Sequence, residues 1–202
     1  MTHPTRLRAA EANSSDGAVF ARYLDEAADG LFAFLLGSGA EQVLARAFLV
    51  ESHNLSYENV TLAELDGSIV GMVSGFTAAQ YEQHSDRVLR QAAGLRTVRM
   101  YAIGLLGLPF FRFLETIGSD AYYLQGIAVA EAARGRGVGS RLIEHIEEQA
   151  RVAGTNRLTL HVAIENEGAQ RLYRRHGFVE EARSARLLCL PETEVLRMSK
   201  PL

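Results

Sequence analysis

The sequence predicts an α/β fold, and three observations carry that expectation. From Tyr122 to Phe178, short apolar runs of strand character alternate with stretches of helical period. Two further apolar runs, Asn59 to Leu65 and Ile69 to Phe76, flank Asp66-Gly67, a strong hairpin signal. The 202 residues are 48% hydrophobic, enough to build a core, and their number suits one domain over residues 1–202.

Taken in order, Leu7 to Ala9 is a short first strand. Asp16 is placed to cap a helix reaching about Ala28, with Gly30 beyond its end. Gly39 to Leu49 reads as a second helix, and the hairpin runs supply the second and third strands. Between Thr77 and Asp120 lie roughly forty residues, long enough for structure of their own. There Val88, Ala92, Leu95, Val98, Ala102 and Leu105 recur at helical steps, with Arg87, Arg90, Arg96, Arg99 and Arg112 among them. The plain expectation is a helical cap that buries its apolar stripe on the sheet. An acceptor-site wall, a lid and a dimer surface are the functional alternatives.

Tyr122 to Val129 is the next strand. Leu142 to Arg151 is a helix with Leu142, Ile143, Ile146 and Ala150 on one face, ended by Gly154. Arg157 to Val162 is a strand. Asn166 caps a helix carrying Ala169, Leu172, Tyr173 and His176, ended by Gly177, and Phe178 returns the chain to a strand. Arg186 to Leu190 and Val195 to Met198 read as final strands, with Pro191 in the turn between them.

The segment Arg134-Gly135-Arg136-Gly137-Val138-Gly139-Ser140 holds most of the functional information. Glycines at alternate positions bare the backbone at a helix start, where N–H groups and the helix dipole favour an anion. Arg134 and Arg136 add positive charge. The arrangement suits a phosphate or pyrophosphate. It is not a nucleotide-hydrolase P-loop, because Gly139-Ser140-Arg141 lacks the lysine. It is not a dinucleotide fingerprint either. The third glycine comes one residue too early, and His161 stands near the expected acidic position.

The pattern Arg134-x-x-Gly137-x-Gly139, followed by Asn166, Ala169, Leu172-Tyr173 and Gly177-Phe178, resembles the GCN5-related N-acetyltransferase family. The match is dense from Tyr122 to Phe178; residues 1–120 follow the family in element order. The resemblance implies a mixed central twisted sheet flanked by helices and only a short link between the third and fourth strands; residues of about 77–120 depart from that plan and read, from their helical period, as a helical insertion there. It implies acetyl-CoA as co-substrate. Gly135, Gly137, Gly139 and their neighbours Arg134, Arg136, Val138 and Ser140 would hold the pyrophosphate. Ile127, Ala128 and Val129 would offer backbone groups to pantetheine between strands that splay apart. Asn166 would meet the pantetheine arm besides capping its helix, and Tyr173 would lie beside the thioester sulfur.

Acyl transfer to an amine needs a proton acceptor, a stabilised carbonyl oxygen and a protonated leaving thiolate. Tyr173 is the expected general acid, since a phenol stays protonated at neutral pH. The alternative is a packing tyrosine. His161 alternates against Leu160 and Val162, and its pKa range suits a base or water relay; a plain hydrogen-bonded histidine is the alternative. Glu51, His53, Glu58, Glu115 and Asp120 are weaker base candidates.

The formal charge of −3 argues against general nucleic-acid binding. The six histidines and Cys189 show no metal-ligand spacing, and Cys189 reads as a buried thiol in an apolar strand. Met100 to Phe111 is too short for a bilayer span of about twenty residues, and the start of the chain shows no apolar signal core. The expectation is a cytoplasmic acetyl-CoA-dependent N-acetyltransferase acting on a small-molecule or peptide/protein amine. No metal, nucleic-acid or membrane partner is expected, and a homodimer is open. The rivals are an enzyme for longer acyl-CoA, suggested by small Gly126 and Ala128, and a CoA-binding regulatory module without turnover.

Overall fold

The computed structural model of the protein describes residues 5–83, 86–186 and 194–202. In chain order the elements are β1 (Arg6–Ala9), α1 (Ser14–Ala27), α2 (Leu31–Leu36), α3 (Ala40–Phe48), β2 (Val60–Leu65) and β3 (Ser68–Thr77). Then come α4 (Ala78–Gln83), α5 (Arg87–Ala93), α6 (Arg96–Leu106), α7 (Leu108–Glu115) and β4 (Ala121–Val129). The remainder is α8 (Val138–Val152), β5 (Arg157–Ala163), α9 (Glu167–Arg175), β6 (Val179–Arg183) and β7 (Val195–Pro201). The strands form one sheet in the order β1-β2-β3-β4-β5-β7-β6. Every pairing is antiparallel except β4 with β5.

The hairpin between β2 and β3 turns at Asp66 and Gly67, both at positive φ (51° and 77°), as a tight primed turn requires. Each sheet face is sealed by its own apolar layer. Phe20 and Leu24 of α1, Leu44 and Phe48 of α3, and Met72 of β3 pack on one side. Leu142, Ile143 and Ile146 of α8 pack with Leu158, Leu160 and Met198 on the other. The two layers bury long runs of apolar side chains that an unpaired sheet face could not keep from water.

Asp16 does not cap α1. Asn13 does, its side-chain oxygen accepting from Asp16 N at 2.8 Å. Asp16 is only 2% exposed and takes both Nη groups of Arg8, at 2.7 and 2.8 Å, plus the Glu11 N–H at 2.9 Å. Arg8 Nε donates to Glu64 at 2.6 Å, so one guanidinium joins β1, α1 and β2. The helix α2 is absent from the sequence reading because its six residues, all apolar, show no amphipathic period.

Among the described residues, four helices fill the stretch between β3 and β4. The apolar period from Val88 to Leu105 is broken at Gly94 (φ 56°) into α5 and α6. Val88 and Ala92 pack against the α1/α3 layer, whereas Leu95, Val98 and Leu105 stay in solvent. The stripe is therefore only partly spent on the core. Cys189, Pro191 and most of the expected strand Arg186 to Leu190 lie outside the described residues, as do His3 and His84. Among the described residues no single helix is long and apolar enough to cross a membrane.

Breaking the Arg8–Asp16 pair should weaken the fold. The Arg8 guanidinium holds the Asp16 carboxyl below the usual carboxylate range. Its stabilisation is thus present above the unfolded pKa of about 3.9 and is lost as pH falls through the lower folded value. Asp16→Asn is expected to cost about 3 kcal/mol in urea unfolding at pH 7, with wild type and variant converging in acid.

Candidate active site

The site begins where two parallel strands part. β4 and β5 pair only from Ala121/Arg157 to Leu124/Leu160. Beyond that, Gly126–Val129 stay paired with β3 on one side, while His161–Ala163 stay paired with β7 on the other. At the fork Gln125 is an extra residue, since Gly75 faces Leu124 and Ser74 faces Gly126. This bulge bends β4 away from β5 and reverses which face its side chains take. Tyr122 and Leu124 before it, and Ile127 and Val129 after it, all reach the α8 layer. Backbone groups of Ile127, Ala128 and Val129 on the β5 side have no strand to pair with, so they face a cleft.

That cleft has a volume of about 700 Å³ and opens at the carboxyl ends of β4 and β5, the usual ligand crevice of such sheets. Its lining includes Ile127, Ala128, Val129, Arg134, Gly135, Gly137, Val138, Gly139, Ser140, His161, Asn166 and Tyr173. Arg136 does not line it. The sequence-predicted residues, Arg136 apart, therefore meet in one place.

One end of the cleft is the start of α8. Gly135 and Gly137 have φ of 73° and 82°, and Gly137 caps the helix without any side-chain hydrogen bond. The first-turn N–H groups thus keep their donors for an anion. Arg134 is less free than its sequence position suggests. Its Nε donates to Val129 O at 3.0 Å and its Nη2 to Glu26 at 2.7 Å, tying α1 to the end of β4.

The other wall is α9. Asn166 caps it, its side-chain oxygen accepting from Ala169 N at 3.1 Å. Gln170, buried, donates to Ala163 O and Ile164 O at 3.1 and 2.7 Å, pinning α9 to the end of β5. Tyr173, one turn further, is 5% exposed with its ring against Phe178. Its hydroxyl bonds to no described residue, and burial, with the nearby Tyr123 and Asp29, pushes its pKa well above the ordinary phenol value.

His161 sits in a finished network. Arg197 Nε donates to its Nε2 at 3.3 Å, and its Nδ1 lies 3.0 Å from the Tyr123 hydroxyl. With Nε2 accepting, the neutral ring carries its proton on Nδ1 and donates it to Tyr123. Arg197 in turn donates to Phe113 O at 2.8 Å and stacks 4.4 Å above the Phe113 ring. Burial and the Arg197 charge lower the His161 pKa to about 3. A ring so held is a poor proton acceptor near neutral pH.

The weaker base candidates are engaged elsewhere or lie off the cleft. Glu51 accepts from the Tyr57 hydroxyl, Glu58 from Ser52 N and Ser56 Oγ, and buried His53 bonds to Ala47 O. Glu115 and Asp120 do not line the cleft. Sequence reasoning missed Asp29, which lines the cleft from the end of α1 in a left-handed conformation (φ 50°) rare for a side-chain-bearing residue. Its signal was the Asp29-Gly30 pair, read only as a helix end. Gln125, Tyr123 and Arg197 were also missed, because bulges and contacts across strands leave no local mark. Among the described residues no group of three His, Cys, Asp or Glu side chains could hold a metal.

Two outcomes follow from this geometry. Gly137→Ala adds a Cβ that meets nothing within 4 Å, so its cost is backbone strain alone, about 1–2 kcal/mol in thermal unfolding. His161 should show an imidazole NMR signal flat from pH 8 to 5. Because its folded pKa lies below the unfolded value of 6.5, the protein should also lose stability as pH falls from 6.5 toward about 3. His161→Gln should remove that loss.

With this geometry in hand, similarity to known proteins is decisive for the family. A sequence model of the Acetyltransferase (GNAT) family matches residues 37–178. GCN5-related N-acetyltransferase 7, chloroplastic, of Arabidopsis thaliana is 34% identical over 93 residues, 43% of this chain and 34% of that protein. The 5-NmdU N-acetyltransferase of Pseudomonas phage PaMx11 is 41% identical over 69 residues, 34% of this chain and 47% of that protein. The chain thus matches between about a third and a half of the length of these relatives. The crystal structure of an N-acetyltransferase from Staphylococcus aureus Mu50 shares the fold, with a TM-score of 0.70 over 96% of this chain and all of the other at 18% identity. The forked β4/β5 pair, the glycine-rich start of α8 and the match over residues 37–178 together make this chain a member of the GNAT acetyltransferase family.

Proposed function

We propose that the chain is a single-domain N-acetyltransferase that moves the acetyl group of acetyl-CoA to a primary amine by direct attack on the thioester. One observation carries the reading: the unpaired edge of β4 runs along a cleft that ends at a bare helix N-terminus, with a buried tyrosine on the opposite wall. A long, thin, anionic-ended co-substrate suits that shape. Gly135 to Ser140 would hold the pyrophosphate with backbone N–H groups. Ile127, Ala128 and Val129 would pair with the pantetheine amides, and Asn166, whose amide N–H groups bond to no described residue, would add a donor.

Acetyl-CoA supplies an activated acyl group. The amine lone pair forms the new C–N bond as the C–S bond breaks, and holding both reactants together supplies much of the acceleration. Tyr173 gives the departing sulfur its proton; its raised pKa keeps that proton in place until then. His161, neutral and engaged on both nitrogens, orients Tyr123 and the β5 wall, and the amine proton leaves through water. Asp29, a cleft carboxylate without an ion pair among the described residues, favours a cationic amine at the mouth.

The longer acyl-CoA rival loses its main support. A Cβ on Gly126 would come within 3.2 Å of Leu24 on α1, so the small residue serves close helix packing. A binding module without turnover has no use for the unbonded Tyr173 hydroxyl in the cleft. The acceptor is open to a screen of small amines and peptide N-termini, and the phage relative's name adds 5-NmdU to it. The reading keeps a cytoplasmic location.

Tyr173→Phe tests the assignment. Turnover should fall by about 10²–10⁴. The rise in melting temperature with saturating acetyl-CoA should persist, since binding at a hundredfold Kd adds about 2.7 kcal/mol in either protein. NADH and ATP should give no rise. An unchanged rate would remove Tyr173 from the chemistry, and a response to nucleotide alone would sink the acetyl-CoA reading.

A further inference from the structure

We infer that the outer face of α6 and the start of α7 form a docking surface for an anionic lipid bilayer. Six of the ten exposed large apolar residues among those described fall between Leu95 and Leu108, so they make a patch instead of a scatter. Leu95 is 94% exposed, Val98 73%, Tyr101 59%, Leu105 76% and Leu106 68%. Leu95, Val98, Tyr101 and Leu105 follow three- and four-residue steps and share one side of the helix. Ile103 and Met100 point the other way, into the protein. The helix therefore needs only its inner apolar face for folding. The outer one stays exposed and has no partner among the described residues.

Charge selects the occupant. From Arg87 to Leu114 the chain has five arginines and no aspartate, glutamate or lysine, although its formal charge is −3 overall. Arg90, Arg96 and Arg99 donate to neutral oxygens, those of the Tyr101 hydroxyl, Ser38 and Phe34, and none of the three forms an ion pair among the described residues, although Asp86 lies near Arg90. Arg112 makes no ion pair among the described residues. A second copy seated on the same face would bring these arginines against their own images with no carboxylate between them. An anionic bilayer answers both features: leucine, valine and tyrosine enter the headgroup boundary while the arginines reach lipid phosphates. The 96° bend between α6 and α7 lays the pair along a surface, not through it. The expectation that no membrane partner exists is thereby narrowed to no spanning segment.

Co-sedimentation of the full chain with vesicles tests this. With vesicles of equal phosphatidylcholine and phosphatidylglycerol at 50 mM NaCl, most of the protein should pellet. Binding should fall at least about tenfold with pure phosphatidylcholine or at 500 mM NaCl. Leu105→Glu and Val98→Glu, both at exposed positions, should abolish binding while leaving the melting temperature within a degree or two of wild type. Protein that stays in the supernatant with anionic vesicles overturns the proposal, as does equal binding to neutral ones. Light scattering that shows a stable dimer, dispersed by Leu105→Glu, together with no lipid binding, would assign the face to a second copy.

Discussion

The structure depends on one piece of backbone accounting: two parallel strands that stop sharing hydrogen bonds after Leu124 and Leu160. A buried strand edge without partners is costly, so such a fork needs a cause on each side. On one side the Gln125 bulge turns β4 outward, and β3 keeps its other edge satisfied. On the other, β7 pairs along the whole of β5 and Gln170 takes the carbonyls of Ala163 and Ile164. The unpaired groups between are then available to a ligand instead of to another strand.

The same economy governs the polar groups around the fork. Histidine in a strand beside a cleft looks like a base until its partners are counted. Arg197 occupies one nitrogen, the Tyr123 hydroxyl the other, and Phe113 locks Arg197 from above and through its carbonyl. A protonated ring would face a guanidinium in a desolvated place, and the neutral form wins. Tyr173 is the reverse case: nothing among the described residues takes its hydroxyl, and burial makes its proton harder to lose. The two side chains face one cleft with opposite degrees of commitment: His161 is bonded at both ring nitrogens, and the Tyr173 hydroxyl bonds to no described residue.

What was legible in the sequence is what short-range rules encode. The hairpin at Asp66-Gly67, the glycine-rich entry to α8, the cap at Asn166 and the stops at Gly154 and Gly177 each need a particular backbone conformation or side-chain oxygen at a fixed place. Those needs are written locally. Asp16 misled because a carboxylate near a helix start satisfies the cap pattern, while its actual partner, Arg8, comes from the preceding strand β1. His161 misled in the same way, since Arg197 and Tyr123 lie 36 and 38 residues from it. The fork itself was expected from family resemblance; no residue spacing announces that two strands will part.

The helices between β3 and β4 carry both the exposed apolar face and a contact to the wall of the cleft. Phe113, on α7, holds Arg197 by its carbonyl and its ring, and through Arg197 reaches His161 on the wall of the cleft. The exposed apolar face begins on α6 and continues onto Leu108 at the start of α7. One end of α7 therefore belongs to the surface and the other to the site, across a helix of eight residues. The exposed face and the wall of the cleft are thus joined through one short helix, with Phe113 reaching His161 by way of Arg197.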